Sequence, residues 1–223
     1  MAFLDICGFK SLMKKGKAID ALNKFYSTIF EVGDRFRKPV YRGLVEVDAI
    51  AVSDCAVLFS RIDTSNSSKT RPKDALKGLQ SILEFVRRVN SALISPKEGP
   101  QILTTSSIDY GDFKYEDRIE VSNMKEVYFI GQPYVNAFLD NEFGDPKILP
   151  GECRILRDHL DFISEFPDSL PFSVLIPKGK HYYYYWMIHN PDHIERFKKE
   201  YDNIHQDVYK ELKQLIQKHV GYY

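Results

Sequence analysis

Segments with a helical period alternate along this chain with pairs of segments that have a strand period, and this order constrains the fold most. The apolar residues between Leu22 and Phe36 repeat at helical spacing and predict a helix over about residues 18–37. The Val-rich stretches "PVYRGLVEVDAIAVSD" and "CAVLFSR" predict two strands with a turn at Ser53-Asp54. The approximate order over the whole chain is β-α-β-β-α-β-β-α-β-β-α. It predicts an α+β fold with a ferredoxin-like core and added elements.

The middle of the chain continues this alternation. The apolar face from Leu76 to Val89 predicts a second helix. The stretches "QILTTSSID" and "DFKYEDRIEVS" predict a hairpin around Tyr110-Gly111, and "GQPYVNAFLDNE" predicts a short helix.

The last third predicts two more strands and a long helix. The strands are "PFSVLIP" and "HYYYYWMI", joined by "KGK". Asn190-Pro191-Asp192 has the sequence of a helix start, and the apolar face that follows runs almost to the end. We therefore expect a main domain over 1–187 and a C-terminal helical extension over 188–223.

Composition excludes several classes of partner. The 223 residues, 43% of them hydrophobic, are enough for one sizeable domain. Lys and Arg number 31, as do Asp and Glu, so no basic field predicts nucleic acid or an anionic membrane as a partner. No apolar run approaches the roughly 18 residues of a membrane span. Cys7, Cys55 and Cys153 match neither a disulfide framework nor a zinc-ligand spacing, so we expect a reducing cytoplasm.

Two acidic residues end or join apolar strands. Asp5 ends the run "MAFLD", where a carboxylate is unfavourable unless a cation compensates it or the residue caps a turn. Asp54 lies in the predicted hairpin turn, which a ferredoxin-like core places close to the end of the first strand. A divalent cation would relieve the repulsion between two such carboxylates, and Gly8 would let backbone N–H groups approach phosphates. This arrangement is typical of a two-metal site for phosphoryl transfer.

Four segments in collinear order resemble the class III nucleotidyl cyclases. "FLDICGFKSL" resembles the family's first metal motif and "AVSDCAVLF" its second. The resemblance implies two Mg²⁺ or Mn²⁺ ions held by Asp5, the backbone carbonyl of Ile6 and Asp54. Gly8 and Phe9 would contact the substrate.

The other two segments imply catalytic residues. "IGQPYVNAFLDNE" resembles the helix that carries the family's transition-state Asn, here Asn136. "VLIPKGKHYYYYW" resembles the closing hairpin whose first Lys, here Lys178, contacts the triphosphate. In this family the metals bind one chain of a head-to-tail homodimer, and the Asn, the Lys and the base-reading residues come from the other chain.

Three positions depart from the purine-specific pattern of the family. Asp48 and Phe129 occupy the two base-reading positions, and neither is a usual adenine or guanine reader. Asp140 occupies the position of an Arg that neutralises the transition state, so either the helix register differs or another cation substitutes. The candidate cations for this role are Arg42, Arg61, Lys69 and Arg71.

Altered base readers on a bare catalytic domain resemble the pyrimidine cyclases of bacterial Pycsar anti-phage systems. This resemblance implies that CTP or UTP is converted to cyclic CMP or cyclic UMP, which a separate effector binds. A carboxylate at position 48 can accept a hydrogen bond from the cytosine amino group or from uracil N3–H. The alternatives are an adenylate cyclase with divergent base contacts and a catalytically inactive cyclase-like domain that binds nucleotides or dimerises.

Overall fold

The computed structural model describes residues 1–36, 45–60, 72–97, 99–120, 124–158, 160, 172–204 and 209–220. The side chains of residues 72, 115–120, 124–129 and 172 are not part of the description.

A seven-stranded sheet forms the centre of the molecule, with the strand order β2-β3-β1-β4-β7-β9-β8. Its strands are β1 (Ala2–Ile6), β2 (Val47–Val52), β3 (Cys55–Ser60), β4 (Thr104–Ile108), β7 (Cys153–Leu156), β8 (Leu175–Lys178) and β9 (His181–Tyr184). The first four strands in this order are antiparallel neighbours, whereas β4 and β7 are parallel. The order β2-β3-β1-β4 is that of a ferredoxin-like core, so the α+β prediction is confirmed. A separate two-stranded sheet pairs β5 (Phe113–Glu120) with β6 (Met124–Gly131).

Six α-helices surround the sheet within the described part of the chain. They are α1 (Phe9–Lys14), α2 (Ala18–Phe36), α3 (Pro72–Ile94), α4 (Gln132–Phe143), α5 (Ile194–Asp202) and α6 (Tyr209–Val220). Helix α2 closely matches the predicted range, because its apolar period is long and regular.

The alternation of side chains in β1 assigns the helices to the two faces of the sheet. Ala2, Leu4 and Ile6 belong to the main apolar core, together with residues of α2 and α3. Phe3 points the other way and packs edge-on against Phe138 of α4, with ring centroids 5.3 Å apart. Since side chains alternate along a strand, the odd-numbered residues of β1 face α4.

The predicted hairpin around Tyr110-Gly111 is wrong. Strand β4 does not pair with β5, because β1 and β7 occupy its two edges. Strand β5 pairs instead with β6, which the sequence analysis did not predict.

The prediction of a single long C-terminal helix is also wrong, although the predicted start of that helix is correct. The side chain of Asn190 accepts a hydrogen bond from the backbone N–H of Asp192, and a short 3₁₀ turn leads into α5. Helix α5 ends at Asp202-Asn203, two residues with low helix propensity, and α6 begins at Tyr209.

Residues beyond 188 share the core with the rest of the chain. Ile194 and Phe197 of α5, and Leu212, Leu215 and Ile216 of α6, are buried in the main cluster. The boundary at 187/188 stays a prediction. Among the described helices, none is long and apolar enough to cross a membrane.

Candidate functional site

The two predicted metal ligands lie side by side at the carboxyl end of β1. Asp5 pairs with Cys55 of β3, the residue that directly follows Asp54. The backbone N–H of Ile6 donates to the carbonyl of Asp54 at 2.9 Å. The strand pairing therefore brings the two acids together, because the β2–β3 turn closes next to the end of β1.

The turn that carries Asp54 is held in an uncommon backbone conformation. Ser53 has φ 55°, in the left-handed region that few residues other than Gly adopt. The Tyr26 hydroxyl of α2 donates to the Ser53 carbonyl at 2.6 Å, and the Ser53 hydroxyl donates to the Asp54 carboxylate at 3.0 Å. These bonds fix the position of Asp54 relative to α2.

A third acidic residue, Glu142, adds negative charge near Asp5 and Asp54, at the carboxyl end of β1. Burial, together with the negative charges of Asp54 and Glu142, raises the pKa of Asp5 from 3.8 to about 7. The sequence analysis missed Glu142 because it lies in the last turn of α4 and matches no metal motif. The Asp5 carboxylate is destabilised here, and a bound cation would relieve it.

The donor set fits a hard divalent cation that is shared with a phosphorylated ligand. In the described part of the chain, no three His, Cys, Asp or Glu side chains converge closely enough to hold a metal ion by themselves. Asp5 and Asp54, with the adjacent Ile6 carbonyl, would supply only part of a coordination shell. Mg²⁺ is usually bound in this way, through one or two carboxylates, water and substrate phosphates.

The chain turns sharply directly after these residues. Gly8 has φ 71°, and a side chain at that position would be strained. Phe9 begins α1 and packs against the core, which fixes where the turn leaves the sheet. The predicted substrate contacts Gly8 and Phe9 therefore adjoin Asp5 and Asp54.

Asn136 lies at the other end of β1. Its side-chain amide donates to the carboxylate of Asp109 at 2.8 Å, and Asp109 directly follows β4. The last residue of β4, Ile108, pairs with Ala2 at the start of β1. Asn136 is thus separated from Asp5 by about three residues of strand, roughly 10 Å.

Lys178 and Asp48 also lie away from the two metal ligands. Lys178 ends β8, which is four strands from β1, or roughly 19 Å at about 4.8 Å per strand. Asp48 pairs with Phe59, and the neighbouring Leu58 pairs with Ala2, so Asp48 lies at the Asn136 end of the sheet. One chain therefore does not bring its own Asn136, Lys178 and Asp48 to its Asp5-Asp54 pair.

Asp140, which the resemblance places at the position of an Arg, lies in the protein interior. Its side chain is buried under α4 and binds Arg154 Nε at 2.8 Å and His181 Nε2 at 2.8 Å. Ser107 of β4 also donates to it. Burial alone would raise the pKa of Asp140, but the hydrogen bonds from His181, Arg154 and Ser107 lower it to about 2. Asp140 is thus an ionised anchor for the helix.

The remaining predicted residues lie outside the description. Arg42, Arg61, Lys69 and Arg71, the candidate replacement cations, fall in undescribed segments. Phe129 belongs to β6 and pairs with Tyr115, but its side chain is not described.

Helix α4 exposes an apolar face next to Asn136. Val135, Leu139 and Phe143 are spaced four residues apart, and their exposed fractions are 42%, 47% and 76%. Ile130, just before the helix, is 66% exposed. Large apolar side chains grouped in this way mark an association surface more often than isolated ones do.

Comparison with solved structures identifies the fold. The guanylate cyclase domain of RhGC from Catenaria anguillulae, solved with GTP, aligns over 82% of this chain and 92% of its own, with 12% identity and a TM-score of 0.53. The catalytic core of a rhodopsin-guanylyl cyclase with converted specificity, solved with ATPαS, aligns over the same shares, with 13% identity and a TM-score of 0.54. This chain has the nucleotidyl cyclase fold.

A third neighbour has the same fold. The non-canonical dimeric guanylyl cyclase domain of the RhoGC fusion protein from the aquatic fungus Blastocladiella emersonii aligns over 82% of this chain and 91% of its own, with 13% identity and a TM-score of 0.53. No protein-family model and no curated protein sequence matches this chain. At these identities the comparisons establish the nucleotidyl cyclase fold and leave the activity to be argued from the residues.

Asp109 is a second residue that the sequence analysis missed in this cyclase fold. It directly follows β4, whose sequence "TTSSI" is mostly polar, so the apolar run that singled out Asp5 is missing before Asp109. Its carboxylate orients Asn136.

Two neighbouring serines of β4 test the anchoring of α4 by Asp140. Ser107→Ala removes a hydrogen bond to a buried carboxylate and should lower the free energy of unfolding by about 1.5–3 kcal/mol. Ser106→Ala is the matched control, because the buried Ser106 hydroxyl has no hydrogen-bond partner among the described residues, and the change should be neutral or slightly stabilising. Urea unfolding followed by circular dichroism measures both. Equal losses in the two variants would contradict the anchoring role.

Asp5→Asn should stabilise the metal-free protein at high pH. The pKa of Asp5 is higher in the folded state than in the unfolded chain, so the wild type loses stability as pH rises from about 4 to about 7. With solvent screening, the variant should be about 1–2 kcal/mol more stable at pH 8 and equal to the wild type at pH 4. Thermal unfolding in EDTA at both pH values tests this, and a variant less stable at pH 8 would refute the charge repulsion.

Proposed function

We propose that this chain is a divalent-metal-dependent nucleotidyl cyclase that works as a head-to-tail homodimer, with CTP or UTP as substrate. The observation that carries the proposal is the pair Asp5 and Asp54, whose repulsion a cation would relieve, beside the sharp turn at Gly8. The products would be cyclic CMP or cyclic UMP and diphosphate.

The proposed reaction is an in-line displacement at the α-phosphorus. The ribose 3′-oxygen forms a bond to phosphorus, its proton leaves to solvent, and the bond to the diphosphate oxygen breaks. Two Mg²⁺ or Mn²⁺ ions held by Asp5, Ile6 and Asp54 would neutralise the phosphates and activate the 3′-hydroxyl. Gly8 and Phe9 would bind the triphosphate through the backbone, Lys178 would neutralise charge on it, and Asn136 would orient the reacting groups.

The separation of these residues supports a dimer with two composite sites. Asn136 lies roughly 10 Å and Lys178 roughly 19 Å from Asp5 of the same chain, and a second copy in head-to-tail orientation would supply them. The apolar face of Val135, Leu139 and Phe143 flanks Asn136, and covering it with the partner would place Asn136 at the interface. One of the structural neighbours is described as dimeric.

The base preference rests on Asp48. Adenine N1 is an acceptor and would face an acceptor carboxylate, a contact that disfavours ATP by about 1–3 kcal/mol. The cytosine amino group and uracil N3–H are donors and would bind the same carboxylate. Phe129 at the second base-reading position would shorten the pocket to the size of a single six-membered ring.

The cellular role follows from the proposed product. A chain that makes a cyclic pyrimidine nucleotide would act in the cytoplasm as the signal-producing half of a Pycsar-type anti-phage system, with a separate effector that binds the product. A purine cyclase is the second candidate, because the neighbouring structures were solved with GTP and ATPαS. A catalytically inactive domain is the third, and an assay of all four triphosphates with Mn²⁺ separates the three.

Mixing two inactive variants tests the composite site. Asp5→Asn and Lys178→Ala should each abolish cyclisation, and together, after subunit exchange, they should recover about one quarter of wild-type activity. The reason is that half of the dimers would be mixed, each with one intact site of two. Asp5→Asn mixed with Asp54→Asn is the matched control and should recover nothing, because both residues belong to the same half-site. Failure of the first mixture, with mixed dimers shown by native mass spectrometry, would place the site within one chain.

Turnover of the four triphosphates tests the base preference. CTP or UTP should be cyclised about tenfold to a hundredfold more efficiently than ATP, as kcat/KM. Asp48→Ala should narrow this gap, whereas Glu46→Ala, two residues away, should leave it unchanged. If ATP or GTP is converted at least as fast as either pyrimidine, the purine cyclase replaces the pyrimidine cyclase.

A further inference from the structure

The C-terminal helix α6 lies against the turn that follows the metal ligands. A Cβ added to Gly8 would lie 3.6 Å from both Cζ and the hydroxyl oxygen of Tyr209, and 3.7 Å from Cε2. These are ordinary van der Waals distances, so the edge of the Tyr209 ring covers Gly8. Tyr209 is nevertheless 37% exposed, which distinguishes it from the buried residues of the same helix.

Helix α6 is fixed to the sheet beyond Tyr209. Ile216 is buried and packs against Gly151, where an added Cβ would come within 2.7 Å of Ile216 Cδ1. The Lys213 ammonium donates to the carbonyl of Gln101, in the segment that leads into β4. Contacts at Lys213 and Ile216 therefore attach to the sheet the helix that presents Tyr209 to Gly8.

Contact with α6 adds to the backbone hydrogen bonds that already hold this turn. The Cys7 N–H donates to the carbonyl of Leu103 at 2.9 Å, and the Gly8 carbonyl accepts from the N–H groups of Ser11 at 2.9 Å and Leu12 at 3.2 Å. Glycine still has the widest range of backbone conformations, so a contact on the α6 side of Gly8 narrows that range further. The Tyr209 ring limits the conformations open to Gly8, because a movement of Gly8 toward α6 would bring it into steric contact with the ring.

We infer that Tyr209 is a positioning residue for the nucleotide, and that its ring holds residues 7–9 in the conformation that receives the triphosphate. The inference rests on the proposed function for the identity of the ligand, and on the contact between Tyr209 and Gly8 for the mechanism. The contact involves the ring edge as well as the hydroxyl, so the aromatic ring is the essential part.

Three variants test this role. Tyr209→Ala removes the ring, Tyr209→Phe keeps it, and Lys210→Ala changes the next, exposed residue of α6 as a control. Hydrogen–deuterium exchange of the amides of residues 7–9 measures how often the turn opens. KM and kcat for the preferred triphosphate measure the effect on nucleotide binding and turnover. Tyr209→Ala should raise both the exchange rate and KM about tenfold, with kcat within about twofold of the wild type. Tyr209→Phe and Lys210→Ala should resemble the wild type.

The outcomes separate this inference from the proposed function. Unchanged exchange and KM in Tyr209→Ala would overturn the inference, as would faster exchange with unchanged KM, or equal effects in Lys210→Ala. A wild-type chain that cyclises none of the four triphosphates would overturn the proposed function. In that case the Kd for a non-hydrolysable triphosphate with Mn²⁺, measured by calorimetry, takes the place of KM, and the exchange measurement stands unaltered.

Discussion

The buried carboxylate of Asp140 determines how helix α4 sits on the sheet. Arg154 of β7, His181 of β9 and Ser107 of β4 all bind it, so one side chain joins a helix to three strands. Removing a partner would leave a buried charge uncompensated, which is far more costly than loss of an exposed ion pair. Because α4 carries Asn136, and His181 pairs with Lys178 in the β8–β9 hairpin, the same network fixes two residues of the proposed catalytic half-site relative to each other.

This network also explains the departure at position 140. An acid in the place of a catalytic Arg is unfavourable if it faces a triphosphate, but Asp140 faces inward and is neutralised within the chain. The chain has no Lys or Arg in α4, so any cation that assists Asn136 must come from another element. Among the described residues, Lys178 is the basic residue whose predicted role meets this requirement.

The sequence predicts those features that depend on local periodicity. Strands β1 and β3, helices α2 and α3, and the turn at Ser53-Asp54 follow from patterns within a few residues of each other, and the structure has them near the predicted positions. Strand β2 is shorter than the stretch predicted for it: it begins at Val47, and residues 39–44 of that stretch lie outside the description. Pairing between distant segments was less predictable. Strand β4 has no local signal that distinguishes pairing with β7 from pairing with β5, and the sequence favoured the nearer partner. Arg154 and His181, which bind Asp140, follow it by 14 and 41 residues in the chain. The anchoring role of Asp140 therefore could not be predicted from local sequence.

The two ends of the sheet differ in the groups that they offer to a ligand, and the proposed composite site depends on this difference. At one end, burial and the negative charges of Asp54 and Glu142 disfavour the ionised carboxylate of Asp5, and bound cations would relieve this. At the other end Asn136 and Lys178 offer an amide and an ammonium group, which would suit phosphate, and the carboxylates of Asp109 and Asp48 lie at the same end. A nucleoside triphosphate with bound divalent ions carries both kinds of group, anionic oxygens and cations. Under the proposed function, a two-fold related copy placed head to tail would bring Asn136 and Lys178 of one chain to Asp5 and Asp54 of the other, and it would do so at two sites.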